Sequence, residues 1–174
     1  MTIFALSNNF RWIILFFLLT NTLPILGQSE ISSKQTLFVE GGGIAPYYSI
    51  NYGHRILNNE KVSGYLRLGG SVWPDGVAFP AGLSFLWAKN DHHPELTLAM
   101  TPNFEGARFW NRDQSDLLLD LVLGLGYRYQ PADASFFLGG GIYPFIRLDP
   151  TRDELSEKKA DLRIRLGGSI GWLF

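Results

Sequence analysis

The sequence predicts an all-β chain: an eight-stranded antiparallel up-and-down transmembrane β-barrel behind a cleaved signal peptide. Three observations lead there. Apolar and polar residues alternate with period two across most of the chain past residue 35, an apolar leader precedes that region, and the connectors between alternating runs differ in length. Composition agrees. Of 174 residues 46% are hydrophobic, 14% aromatic and only 18% charged, with 19 glycines and no cysteine. Low charge with abundant aromatic and glycine residues disfavours both disorder and a helical bundle. A formal charge of −1 makes no electrostatic case for nucleic acid. Without cysteine there is no disulfide framework, thiolate chemistry, cysteine–zinc site or lipoprotein anchor.

The leader spans residues 1–27. Arg11 precedes the apolar run from Trp12 to Leu19, Asn21 and Thr22 interrupt it, and Gly27 stands before the polar Gln28. A basic residue, a short apolar core and a small residue before a polar stretch describe a secretory signal. A retained transmembrane anchor is the rival reading, but the unbroken run is shorter than the ~20 residues a spanning helix needs. Residues 28–35 then form a short N-terminal segment, and 36–174 the barrel.

Strands are expected at 36–43, 47–57, 62–73, 81–89, 95–103, 116–130, 135–148 and 161–174. The clearest is the sixth. Leu117, Leu119, Leu121, Leu123, Leu125, Tyr127 and Tyr129 share one face; Asp116, Leu118, Asp120, Val122, Gly124, Gly126 and Arg128 lie on the other. A helix would mix these sets on every turn, whereas a pleated strand separates them. Connectors at 58–61, 90–94 and 131–134 are short, and those at 74–80, 104–115 and 149–160 longer. The exception is Ile44-Ala45-Pro46, a short connector at the long-loop end. Short turns at one end and longer loops at the other suit an outer-membrane barrel.

Alternation alone does not say which face is inside. A soluble lipocalin-like barrel turns leucines inward, and a membrane barrel turns them out. Lysines fall in connectors, strand ends or the leading segment: Lys34, Lys61, Lys89, Lys158 and Lys159. Aromatics gather near strand ends, among them Tyr47, Tyr48, Trp73, Phe79, Trp87, Tyr127, Tyr129, Trp172 and Phe174, as interfacial girdles would. Five alternate leucines, 117 to 125, suit lipid better than a narrow lumen. The lumen is then expected to hold Glu40, Arg55, Arg67, Asp120, Arg128, Arg147, Arg163 and Arg165 as a charge network, filled rather than open. Because the first and last strands close the barrel, Glu40 is expected near Arg163 or Arg165. Pro144, on the lipid side, should sit at a bulge or at the outer rim.

The C-terminal stretch Arg165-Leu166-Gly167-Gly168-Ser169-Ile170-Gly171-Trp172-Leu173-Phe174 resembles the terminal signal of bacterial outer-membrane barrels, with Arg165, Gly167, Ile170, Trp172 and Phe174 at its positions. The resemblance implies that the barrel-assembly machinery reads this strand during insertion. Phe38-Val39-Glu40-Gly41-Gly42-Gly43, Tyr48-Ser49-Ile50-Asn51-Tyr52 and Gly126-Tyr127-Arg128-Tyr129-Gln130-Pro131 resemble pieces of small uncharacterised outer-membrane barrels of Gram-negative bacteria, of the OmpA/OmpX architecture. That likeness implies a fold and an outer-membrane address, with lipid as the surroundings and a monomer as the expected state. It implies no activity.

Chemistry is sparse. His54, His92 and His93 are the histidines, and Asp91-His92-His93-Pro94-Glu95 is expected as a tight turn at the short-turn end. Adjacent histidines point apart on an extended chain, so no metal site is assigned. There is no serine-hydrolase elbow, and no catalytic residue or cofactor is assigned. The expected role is structural or loop-mediated. A lipid-A-modifying barrel enzyme and a soluble periplasmic carrier of an apolar ligand stand as alternatives. The 104–115 loop, with Arg108, Phe109, Trp110 and Arg112, and the charged 149–160 loop are candidate contact surfaces for a partner the sequence does not name.

Overall fold

The alternating runs fold as strands. The computed structural model describes residues 34–87, 91–106, 116–131, 134–150 and 160–174, the side chain of Ala160 excepted. The expected signal peptide, Lys89, Lys158, Lys159 and the four named residues of the 104–115 loop lie outside them. The strands are β1 (Gln35–Gly42), β2 (Tyr48–Asn58), β3 (Val62–Trp73), β4 (Gly76–Ala78), β5 (Ala81–Trp87), β6 (His92–Glu105), β7 (Asp116–Tyr129), β8 (Phe136–Leu148) and β9 (Ala160–Leu173). Every pairing is antiparallel, each strand meets its chain neighbour except that β4 and β5 both pair with β3 and β6 and not with each other, and β1 pairs with β9. Gln35 and Phe174 seal that seam by exchanging two backbone hydrogen bonds of 3.0 Å. The result is a closed barrel with no free sheet edge among the described strands.

Nine strands make eight staves, because β4 and β5 form one. Proline at 80 lacks a donor and splits the ladder, while Phe79 N–H to Pro102 O (3.1 Å) and Gly69 N–H to Pro80 O (2.8 Å) carry the pairing across. The long loop expected at 74–80 is therefore corrected. β3 turns back at Pro74-Asp75, and Gly76, Val77, Ala78 and Phe79 already alternate buried and outward. The expected turn at 91–95 is corrected too. His92 to Glu95 are strand residues, with His92 opposite Tyr129 and Glu95 opposite Gly126.

Pro144 sits at neither a bulge nor the rim. The β7–β8 register is the same on both sides of it, and only the rungs Leu123–Pro144 and Gly124–Tyr143 are absent. Those two rungs would depend on a donor at residue 144. One missing N–H thus accounts for the gap, and the β8–β9 ladder runs on through Pro144–Ile164.

Burial fixes the direction of the faces. Leu121, Leu123, Leu125, Ile142, Ile146, Ile164 and Leu166 are exposed on the outer wall, Leu166 at 74%. Glu40, Arg67, Asp120 and Arg128 are buried in the interior. Exposed aromatics lie outside near both ends: Tyr48 and Phe79 by the long loops, and Trp87, Tyr127, Phe136, Trp172 and Phe174 by the short turns.

The interior is layered. Phe38, Phe137 and Leu173 pack together at the short-turn end. Gly171 makes this possible, since a Cβ there would collide with Phe38 and stand 2.7 Å from the Phe137 ring. Higher up, Ile44, Val122, Tyr143 and Phe145 form a second apolar layer. Ile44 reaches it because the β1–β2 turn folds into the barrel. Gly42 and Gly43 take φ of 68° and 71°, the left-handed values glycine adopts at no steric cost. Thr101 Oγ1 donates to Ile44 O at 2.7 Å, and the Ile44 N–H donates to Glu40 at 3.4 Å. The short β1–β2 connector at the long-loop end is therefore a plug.

Candidate functional site

Charged groups occupy the two levels that the apolar layers separate. In the lower level, Arg67 Nη2 lies 3.1 Å from Glu40 Oε2, and Arg128 donates from Nε and Nη2 to Glu95 at 3.1 and 2.9 Å. Arg67 Nη1 also faces Glu95 at 3.8 Å and donates to Ser84 at 3.3 Å, and Ser84 shares a 2.9 Å hydrogen bond with Thr97. The Tyr143 hydroxyl donates to Glu40 at 3.2 Å. Arg67 lies 4.7 Å from the Phe38 ring centroid and Arg128 4.2 Å from that of Phe137, so the cations rest on aromatic faces. Two guanidiniums meet two carboxylates, as buried charges require.

The upper level opens at the long-loop end. Asp120, fully buried, takes a bidentate pair from Arg147, Nε at 2.8 Å and Nη2 at 3.0 Å, and an ion pair from Arg165. Arg165 also lies 3.8 Å from the Phe145 ring centroid and donates to Gly43 O at 3.4 Å. Arg147 Nη1 faces the half-exposed Glu105 at 3.5 Å. Above them is a cavity of about 390 Å³, walled by Tyr47, Trp73, Asp75, Glu105 and Arg163 and floored by Arg147, Arg165 and Phe145.

The expected lumen residues are thus divided. Glu40 and Arg67 pair in the lower level, where Arg128 also sits; Asp120, Arg147 and Arg165 pair in the upper. Arg163 is exposed and pairs with Asp161 at 2.8 Å. Arg55 is half-buried toward the short-turn end of β2 and has an interaction of its own. The expected Glu40–Arg163 or Glu40–Arg165 pairing is corrected. Glu40 is indeed level with the last strand, opposite Ser169, but its side chain crosses to Arg67 on β3, while Arg165 turns to Asp120. Glu95 and Glu105, the missing acids, escape a sequence reading that puts one at a strand end and the other in a loop.

Of the five leucines expected on the outer face, Leu121, Leu123 and Leu125 are exposed there, and Leu117 and Leu119 are half-buried. In the C-terminal pattern Ile170, Trp172 and Phe174 point outward. Arg165 points inward, and Gly167 lies against Gly43, where a Cβ would come within 2.7 Å of the Gly43 backbone. His92 hydrogen-bonds the Tyr127 hydroxyl and lies 5.2 Å from the Tyr129 ring; His93 Nδ1 meets Trp87 O at 3.1 Å. His54, exposed, is opposite Gln35. Among the described residues no three His, Cys, Asp or Glu side chains cluster as metal ligands would. Compared with protein-family models, curated proteins and solved structures, the chain matches none.

Proposed function

We propose that this chain is an outer-membrane β-barrel protein of a Gram-negative envelope, exported by its leader and inserted by the barrel-assembly machinery. Its role in this reading is structural or interactive, not catalytic, and is exercised at the long-loop end. The observation that carries the reading is the inverted wall: leucine and isoleucine side chains are exposed around the outside, while arginine and carboxylate side chains pair within. A protein in water does not leave so continuous an apolar surface uncovered. In hydrocarbon the same surface is at home, and a closed barrel satisfies its backbone internally. The exposed outer aromatics near both ends support it, since interfacial aromatics mark both edges of a membrane band.

The test is membrane fractionation combined with gel mobility of boiled and unboiled samples. The protein should pellet with outer membranes and, unboiled, migrate as a compact heat-modifiable form. Recovery in the soluble periplasmic fraction would refute the proposal.

A further inference from the structure

We infer that the long-loop mouth of the barrel is a binding site for a small soluble zwitterion, its acidic group held by Arg165 and Arg147 and its ammonium end by the aromatic and acidic rim. The inference rests on how charge is distributed along the cavity.

Arg147 and Arg165 share the one buried carboxylate of Asp120, and the half-exposed Glu105 above reaches only Arg147, at 3.5 Å, so at the floor itself two cations meet one anion. Both guanidiniums are pinned. Asp120 holds each, and Phe145 lies beneath that of Arg165 at 3.8 Å. Fixed donors bind an oxyanion without first losing side-chain freedom. The rim has the opposite character. Asp75 and Glu105 stand there with Tyr47 and Trp73, whose rings are 5.6 Å apart, and Arg163, which also lines the cavity, is paired with Asp161 at 2.8 Å. Aromatic faces beside carboxylates attract an ammonium group. Strand register places the two sets at different depths. Glu105 is level with Gly76 at the hairpin tip and Asp116 at the start of β7, whereas Asp120 lies four residues further in.

The rim acids would repel a polyanion, and the floor would repel a simple cation, which leaves a molecule bearing both charges. The cavity volume, about 390 Å³, suits a small metabolite. All its lining residues lie inside the wall or at its lip, so the ligand enters from water and not from the bilayer.

The experiment is calorimetric titration of the full-length protein, folded in a non-ionic detergent, with glycine betaine and phosphocholine as zwitterionic probes. Inorganic phosphate and choline serve as the separated halves. At least one zwitterion should bind saturably, and at least about tenfold more tightly than either half. Arg165→Gln, which leaves Arg147 on Asp120, should weaken that binding about tenfold or more, and Trp73→Ala about threefold. Heat-modifiable mobility establishes that each variant is folded; if Arg165→Gln does not fold, Trp73→Ala and Asp75→Asn decide. No binding of either zwitterion, phosphate binding as tightly as the zwitterions, or binding indifferent to the folded variants would overturn the inference. Membrane insertion is scored separately by fractionation, so a failure here leaves the outer-membrane reading standing.

Discussion

Glu40→Gln removes one charge from a lower level that holds two guanidiniums and two carboxylates. Glutamine keeps the shape and can still accept from Tyr143 or the Ile44 amide, so those two hydrogen bonds are weakened and not both lost. Arg67, only 2% exposed, then faces Glu95 alone, at 3.8 Å and already engaged by Arg128. Breaking a buried pair by removing one partner costs about 3–5 kcal/mol. The remaining Glu95 contact puts this case near the lower end, about 3 kcal/mol or roughly a hundredfold in the folding equilibrium. Urea unfolding from lipid vesicles, followed by tryptophan fluorescence and by gel mobility, measures it. Adding Arg67→Met restores a balanced Arg128–Glu95 pair, so the double variant should be more stable than Glu40→Gln by at least about 1 kcal/mol. A Glu40→Gln variant within about 1 kcal/mol of the parent would refute the claim that the lumen depends on charge balance. A double variant no better than the sum of its singles would refute the Glu40–Arg67 coupling.

Leu121→Arg and Leu123→Arg place a charge on the outer wall, and each should cost about 2–4 kcal/mol in vesicles near the bilayer midplane. The same unfolding assay checks this, and losses under about 0.5 kcal/mol, normal for a surface in water, would contradict lipid contact. Gly171→Ala should destabilise by about 1–3 kcal/mol, because the added methyl group meets Phe38 and the Phe137 ring; a neutral result would show that this layer gives way. Ile44→Ala should cost about 2–5 kcal/mol by hollowing the upper apolar layer. Planar-bilayer recordings of the parent should show no steady open current, since two apolar layers fill the lumen; a persistent porin-like step would refute the filled interior.

Periodicity carried most of the architecture into view. Over 116–130 each residue's face follows from parity, and Leu121, Val122, Leu123 and Gly124 obey it one by one. Prolines obscured the rest. Pro74 and Pro80 bracket a stretch that reads as loop, yet Gly76 to Phe79 continue the alternation, and only β6 alongside reveals a stave. Side-chain pairing was less legible than backbone pairing. Closure does put Glu40 beside the last strand, but a long side chain on an inward face can cross the lumen, and stagger among the eight staves decides what it meets. No local pattern marks Glu95 as the partner of Arg128, because Glu95 is defined by the rung it shares with Gly126. Nor does sequence show that Ile44-Ala45-Pro46 turns inward; the positive φ at Gly42 and Gly43 does that.

The inward turn also determines where water can meet chemistry. Ile44 closes the lumen between the two charged levels, so the lower quartet of Arg67, Glu40, Glu95 and Arg128 is sealed above by Tyr143 and Ile44 and below by Phe38 and Phe137. A sealed and balanced group can stabilise the barrel but has no access to a ligand. The upper group has a cavity over it, and two of its cations share one buried carboxylate. Had the β1–β2 turn projected outward, both levels would face one continuous channel, and Arg67 would be as available as Arg165. Because it does not, selective recognition by the interior falls to Arg147, Arg165 and the rim above them, which share an end with the longer loops.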